Sequence, residues 1–325
     1  MRSLFSFGGR GERVMAGREF VLFAVLGITW GSLWLLTGGG PDPLPLLCAG
    51  AVEFAVAALL LGLYGLARRG RSAAGGRFSA GSGVVTGLML LAFPYACTAW
   101  ASGSVHPYLR SAAPGLPAIA YGAMPLAVML MLAEDAGRYL PRLLFGLTGV
   151  ALLVEQGAAL DLARWLPELV LTVGMLAYGF ALVYGAKRLR GNGERVGASN
   201  LVAWCALQYA SAAAALALMA AVNGDWARLA ANFTTVEPER WFGVVLAAVI
   251  SAVTLPVFYQ LVEVLGPIPA AALQWLISLT GVLEALFFLP ARWTWENWAG
   301  LAMTLGALWW VLRKEQIPGN MLLGR

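Results

Sequence analysis

Four acids and two amides sit inside stretches of sequence that are otherwise apolar: Glu53, Glu155, Glu263 and Glu284, with Gln208 and Gln274. An ionisable side chain in such a stretch, if the stretch crosses a bilayer, costs roughly 2.5–3.5 kcal/mol, so it turns toward protein rather than lipid. Glu53 is the most central of them, in the run Ala-Gly-Ala-Val-Glu-Phe-Ala-Val-Ala. It reads either as a proton carrier or partner for a cationic group, or as a protonated carboxyl hydrogen-bonded to a neighbouring helix. Glu284 lies deep in its stretch but nearer one end. Glu155 and Glu263 are close enough to the ends for their head groups to reach water. Gln208 and Gln274 read as bonds between helices or as contacts for a bound molecule. Trp30, Tyr95, Tyr121, Tyr178, Tyr259 and Trp275 lie well inside their stretches and read as core filling or as the wall of an amphipathic cavity.

Other chemistry is missing from the sequence. A single histidine, His106, rules out HExxH and every multi-histidine metal site, and there is no phosphate-binding glycine loop. Cys48, Cys97 and Cys205 stand singly in apolar runs without companion ligands, and read as small buried hydrophobes. Neither an enzyme nor a resident metal or cofactor is expected.

The elements that must position these residues are long apolar segments. Of 325 residues 60% are hydrophobic and 12% charged, with a mean hydropathy of +0.74; soluble domains carry about twice that charge. At about 20 helical residues per bilayer crossing, ten spans are predicted: 20–38, 44–67, 82–101, 112–133, 139–156, 166–188, 197–222, 241–262, 268–290 and 296–313. Almost nothing remains for a soluble domain. Seventeen of the 22 basic residues fall at the two ends and in alternate loops, including Arg68, Arg69, Lys187 and Arg188. The excess of basic residues on cytoplasmic loops places both termini inside. The net charge of +5 is thereby explained by topology, and no nucleic-acid partner is expected. The first apolar run is too long for a signal peptide and lacks a cleavage site, so it is expected to be retained. Met15 offers an alternative start. Asn232-Phe-Thr234 is a glycosylation sequon that matters only in a eukaryotic host.

The linker 157–165 divides the spans into five and five. An odd number per half makes the second half enter from the opposite side, so halves of like fold are inverted repeats, with a site at the midplane between them. Pro94 in the third span is matched by Pro256 in the eighth. Pro114 and Pro117 at the start of the fourth are matched by Pro267 and Pro269 at the start of the ninth. Each in-span proline removes a backbone hydrogen bond and bends its helix.

Short motifs carry a family resemblance. They are Gly27-Ile-Thr-Trp30-Gly31-Ser32, Gly122-Ala-Met-Pro125-Leu126, the stretch from Val257 to Pro267, and Trp298-Ala-Gly300-Leu-Ala-Met-Thr-Leu-Gly306. With ten spans and inside termini, the chain resembles the drug/metabolite transporter superfamily, particularly its EamA-like permeases. It departs from the family's Gly-Glu pairs after the fourth and ninth spans, with Ala133-Glu134 and Pro290-Ala-Arg292 in their places. In mid-ninth span Ile277-Ser-Leu-Thr280 replaces a proline.

The resemblance implies a cavity walled by spans one, three, four, six, eight and nine. It also implies export of a small polar or amphipathic metabolite, such as an amino acid, across a bacterial inner membrane, with protons as the coupling ion to test. The expected organisation is a cytoplasmic segment 1–19, a first repeat 20–156, the linker 157–165, a second repeat 166–313 and a tail 314–325. Expected site residues are Trp30, Glu53, Tyr95, Tyr121, Tyr178, Gln208, Tyr259, Gln274, Trp275 and Glu284, with Pro94 and Pro256 as gating kinks. Partners are a small-molecule substrate and membrane lipid. A flippase or intramembrane enzyme for a lipid-linked substrate, and a non-transporting membrane subunit, are the alternatives.

Overall fold

The computed structural model describes residues 17–37, 44–67, 79–104, 116–132, 136–154, 162–189, 197–234, 236–288 and 294–313. Among them there is no strand. Ten principal helices follow in order: α1 Gly17–Thr37, α2 Leu46–Ala67, α3 80–104, α4 Leu116–Leu132 and α5 Ala136–Val154, then α6 Leu162–Leu189, α7 Ala198–Val222, α8 Pro238–Leu265, α9 267–288 and α10 Trp295–Leu312. A short helix, Asp225–Ala231, links α7 to α8. His106, Glu134, Asp135, Glu155, Pro114 and the basic residues of 68–78 lie outside the described residues. So does the side chain of Tyr121 on α4.

Local chemistry sets the ends of these helices. Ser79 starts α3, its side chain accepting from the Ser82 N–H. Thr294 and Asn297 form a capping box at the start of α10. α8 ends at Gly266, whose φ of 88° suits glycine, and Pro267 opens α9 at the next residue. α9 is interrupted at Ala272, between Pro267–Ala271 and Leu273–Phe288.

Inside α3 the six residues Gly87–Ala92 form a π-helical turn, and the Phe93 N–H bonds to the Leu88 carbonyl five residues back. Pro94, which has no N–H to give, follows immediately. The in-span proline therefore stands next to a widened turn here. Pro256 lies inside an unbroken α8.

Among the described residues five helices are long and apolar enough to cross a membrane: Leu46–Ala67, Ala80–Ala101, Leu169–Leu189, Ala198–Val222 and Pro238–Leu265. Large apolar side chains stand exposed on their outer faces, among them Val222 at 84%, Phe242 at 69% and Leu218 at 66%. Apolar cover on that scale fits lipid rather than water. The chain is an all-α protein with the character of an integral membrane protein.

The helix packing has an internal order. α2 packs on α7 and α5 on α10, both extensively; α4 also meets α9. α1 packs on α8 and α9, while α6 packs on α3 and α4; α2 meets α8, and α7 meets α3. This pattern maps onto itself when each helix is exchanged with the one five places away. Residue pairs obey the same exchange. Gly149 of α5 abuts Thr304 of α10, while Gly300 of α10 abuts Leu153 of α5. Gly31 of α1 abuts Thr280 of α9, while Gly179 of α6 abuts Val128 of α4. Glycine is required at the Gly149–Gly300 crossing, because a Cβ on Gly300 would lie 2.7 Å from the Gly149 carbonyl oxygen.

Candidate functional site

Glu53 is 4% exposed, on α2 where that helix faces α8. The Ser251 hydroxyl of α8 donates to its Oε1 at 2.7 Å, and the Ser251 carbonyl accepts from the Tyr209 hydroxyl of α7 at 2.7 Å. Three helices are thus joined around one carboxyl group. Phe54, the next residue, holds the aromatic floor: its ring lies 5.5 Å from Tyr95 of α3 and 5.4 Å from Tyr209. Gly50, one turn before Phe54 on α2, leaves the space into which the Tyr95 ring packs.

A second buried polar group lies along α8. Tyr259 donates its hydroxyl to Oε1 of Gln208 at 2.8 Å, and Gln208 is fully buried on α7. Its Nε2 is buried with no hydrogen-bond partner among the described residues. An unpaired buried donor costs about 1–3 kcal/mol. The Trp204 ring lies 4.7 Å from Tyr259, and its Nε1 donates to Ser82 of α3 at 3.1 Å. Gly185 of α6 faces both rings. Gly87 of the π-helical turn lies against the backbone of Gln208, and a Cβ there would collide with the Gln208 carbonyl oxygen and the Ser211 hydroxyl. Tyr178 of α6 is buried in the same core as Tyr209 and Tyr259.

Trp30 closes the cluster on the α1 side. Its Nε1 donates to Thr254 of α8 at 2.7 Å and its ring lies 5.1 Å from Phe258. The structure therefore brings Trp30, Glu53, Tyr95, Tyr178, Gln208 and Tyr259 into one polar and aromatic centre shared by α1, α2, α3, α6, α7 and α8.

Other expected site residues lie apart from these bonds. Trp275 of α9 donates to the Gly122 carbonyl of α4 at 2.9 Å and packs its ring on Gly146 of α5. That is a structural bond between three helices. Gln274 is buried beside it in sequence, and its carbonyl accepts from Ser278. Glu284 accepts a hydrogen bond from Ser32 of α1. Arg142 is buried, with its guanidinium 5.8 Å from the Tyr139 ring and 5.4 Å from the Trp310 ring. Stacking on two aromatic faces explains why the cation leaves water. Cys48, Cys97 and Cys205 are free and buried.

Ser251, Tyr209, Trp204, Ser82, Thr254 and Phe258 complete the centre and were not singled out from sequence. The available signal was that a buried acid needs a donor, which directs attention to the few hydroxyls within apolar runs. The described residues contain no group of three or more side chains able to hold a metal. The open groove between α4 and α6, about 420 Å³, is lined only by apolar residues such as Leu126, Leu130 and Leu176. Its side chains offer no polar group to orient a substrate.

No family model matches the chain, and neither does any curated protein. A solved structure described only as "Crystal structure of protein" aligns over 90% of this chain and 97% of its own, with a TM-score of 0.61 and 15% identity. At that identity the likeness is one of fold alone.

Proposed function

We propose that this protein is a secondary transporter built from two inverted five-helix repeats. On this reading all ten principal helices span the membrane and both termini are cytoplasmic. The chain moves a small polar or amphipathic metabolite, such as an amino acid, outward across a bacterial inner membrane by alternating access. Outward direction, host membrane and substrate class rest on the resemblance to EamA-like permeases. The observation that carries the reading is the Glu53 carboxyl, buried at the contact of α2 with α8 and held by the Ser251 hydroxyl. A carboxyl group so placed joins the first half of the chain to the second through a single bond that a proton or a substrate can replace. The exchange pattern of the helix contacts supports the inverted repeat. Two bundles of like packing offer two states of similar energy, as alternating access requires.

The test is flux. The purified chain in proteoliposomes, loaded with a panel of radiolabelled amino acids, should release at least one of them faster than empty liposomes, and faster still under an imposed pH gradient. Release no faster than from empty liposomes for the whole panel would overturn the reading.

A further inference from the structure

We propose that the amide of Gln208 is a ligand-binding group, whose Nε2 donates to an uncharged hydrogen-bond acceptor, a carbonyl or carboxamide oxygen, on a molecule held among Trp204, Tyr259 and the π-helical turn of α3. The proposal rests on the transporter reading for its setting but concerns binding alone.

Three observations converge on it. First, Tyr259 occupies Oε1 of Gln208 and thereby orients the amide, leaving both N–H bonds of a fully buried Nε2 without a partner among the described residues. Unpaired buried donors are rare in folded proteins and call for a specific explanation. Second, the turn that touches this residue is the π-helical one, pressed onto Gln208 through Gly87. Such turns recur at functional sites. Third, the helix exchange makes Gln208 the counterpart of Glu53. Phe54 and Tyr209 face each other across the α2–α7 contact, and each follows the buried polar residue of its own helix. Glu53 meets α8 at Ser251, as Gln208 meets α3 at Gly87. The two halves thus present an acid and an amide from equivalent places.

Electrostatics sets the ligand class. The buried cation among the described residues, Arg142, is held between Tyr139 and Trp310 and belongs to the α5–α10 contact. Without a cation beside it, a neutral amide donor does not offset the desolvation of an anion. A neutral acceptor loses less on leaving water and gains the full hydrogen bond. The rings of Trp204 and Tyr259 favour a flat apolar body next to that acceptor.

The experiment titrates the purified full-length protein with benzamide, benzoate and toluene, reading tryptophan fluorescence. Wild type should bind benzamide about tenfold or more tightly than either other probe, since only benzamide pairs a neutral acceptor with the ring. Gln208→Met, of similar length without the donor, should lose that preference and bind benzamide and toluene alike. Gln208→Asn, which keeps the amide but withdraws it, should weaken benzamide and leave toluene unchanged. Equal affinity for the three probes in wild type, or no binding of benzamide, would overturn the proposal without recourse to a variant. A Gln208→Met protein that keeps the benzamide preference and only melts earlier would assign the amide a structural water or packing role, and also overturn it. Loss of flux with benzamide selectivity intact would count against the transporter reading alone.

Discussion

Phe54 and Tyr209 meet ring to ring at 5.4 Å where α2 crosses α7, and the residue before each is a buried polar one, Glu53 and Gln208. The two positions lie on opposite halves of the chain, yet both polar groups bond to the same helix. Glu53 accepts from Ser251, and Gln208 accepts from Tyr259, eight residues along α8. At about 1.5 Å per residue the two contacts are separated by roughly 12 Å of α8. One helix of the second half therefore carries the partners of both. A displacement of α8 would break them together.

Glu53→Gln keeps the length and the hydrogen bond from Ser251 while removing titration. It should fold as wild type does, and flux should no longer respond to an imposed pH gradient. Glu53→Ala leaves the Ser251 hydroxyl unpaired and should cost about 1–3 kcal/mol of stability. Flux in proteoliposomes with and without the gradient, beside thermal melting, separates the two roles. Gradient-driven flux at the wild-type level in the Gln variant would remove Glu53 from coupling.

The Gly149–Gly300 crossing should tolerate no side chain. Gly300→Ala places a Cβ against the backbone of α5 at Gly149, where neither helix has a flexible atom to yield. The loss should be about 1–3 kcal/mol, as for other overpacked contacts. Gly62, which faces open space, should accept alanine with little change. A melting temperature of the Gly300 variant equal to that of the Gly62 variant would show the crossing to be loose.

Much of this was legible in the sequence because lipid imposes simple rules. Unbroken apolar runs located the helices, and Glu53 stood out because a lone acid in such a run must find a partner. Pro94 and Pro256 singled out α3 and α8, two helices that exchange places in the packing pattern. The partner itself was not legible. Ser251 is one hydroxyl among several in apolar runs, and only the α2–α8 contact selects it. The π-helical turn at Gly87–Ala92 was equally hidden, because Gly-Leu-Met-Leu-Leu-Ala has no composition that distinguishes it from an α-helix. The burial of Arg142 was hidden too, since its aromatic partners come from its own helix and from α10, 168 residues away.

Topology can be checked directly. Reporter fusions at Gly75 and Asn192, both outside the described residues, should register in the cytoplasm with the basic loops that hold them. Fusions at Gly103 and at Asn232, which stands exposed in the turn after the Asp225–Ala231 helix, should register outside. An outside signal from either basic loop would break the odd count per half and with it the inverted repeat.

The two in-span prolines should differ in their effect. Pro256 is buried within a continuous α8, between the levels of Ser251 and Tyr259. Replacing it with Ala restores a backbone N–H and lets α8 straighten, which displaces both polar contacts. Pro94 follows a turn already widened by the π-helical segment, and packs against Gly174 of α6. Pro94→Ala restores an N–H in a place where the backbone has already adjusted, so α3 should keep its course. Flux should therefore fall more in Pro256→Ala than in Pro94→Ala, while the stability of each changes by about 1 kcal/mol at most. Transport assays and thermal melts of both variants decide the matter. Wild-type flux in both would show that neither bend takes part in gating. A larger loss in Pro94→Ala would move the hinge from α8 to the π-helical turn of α3.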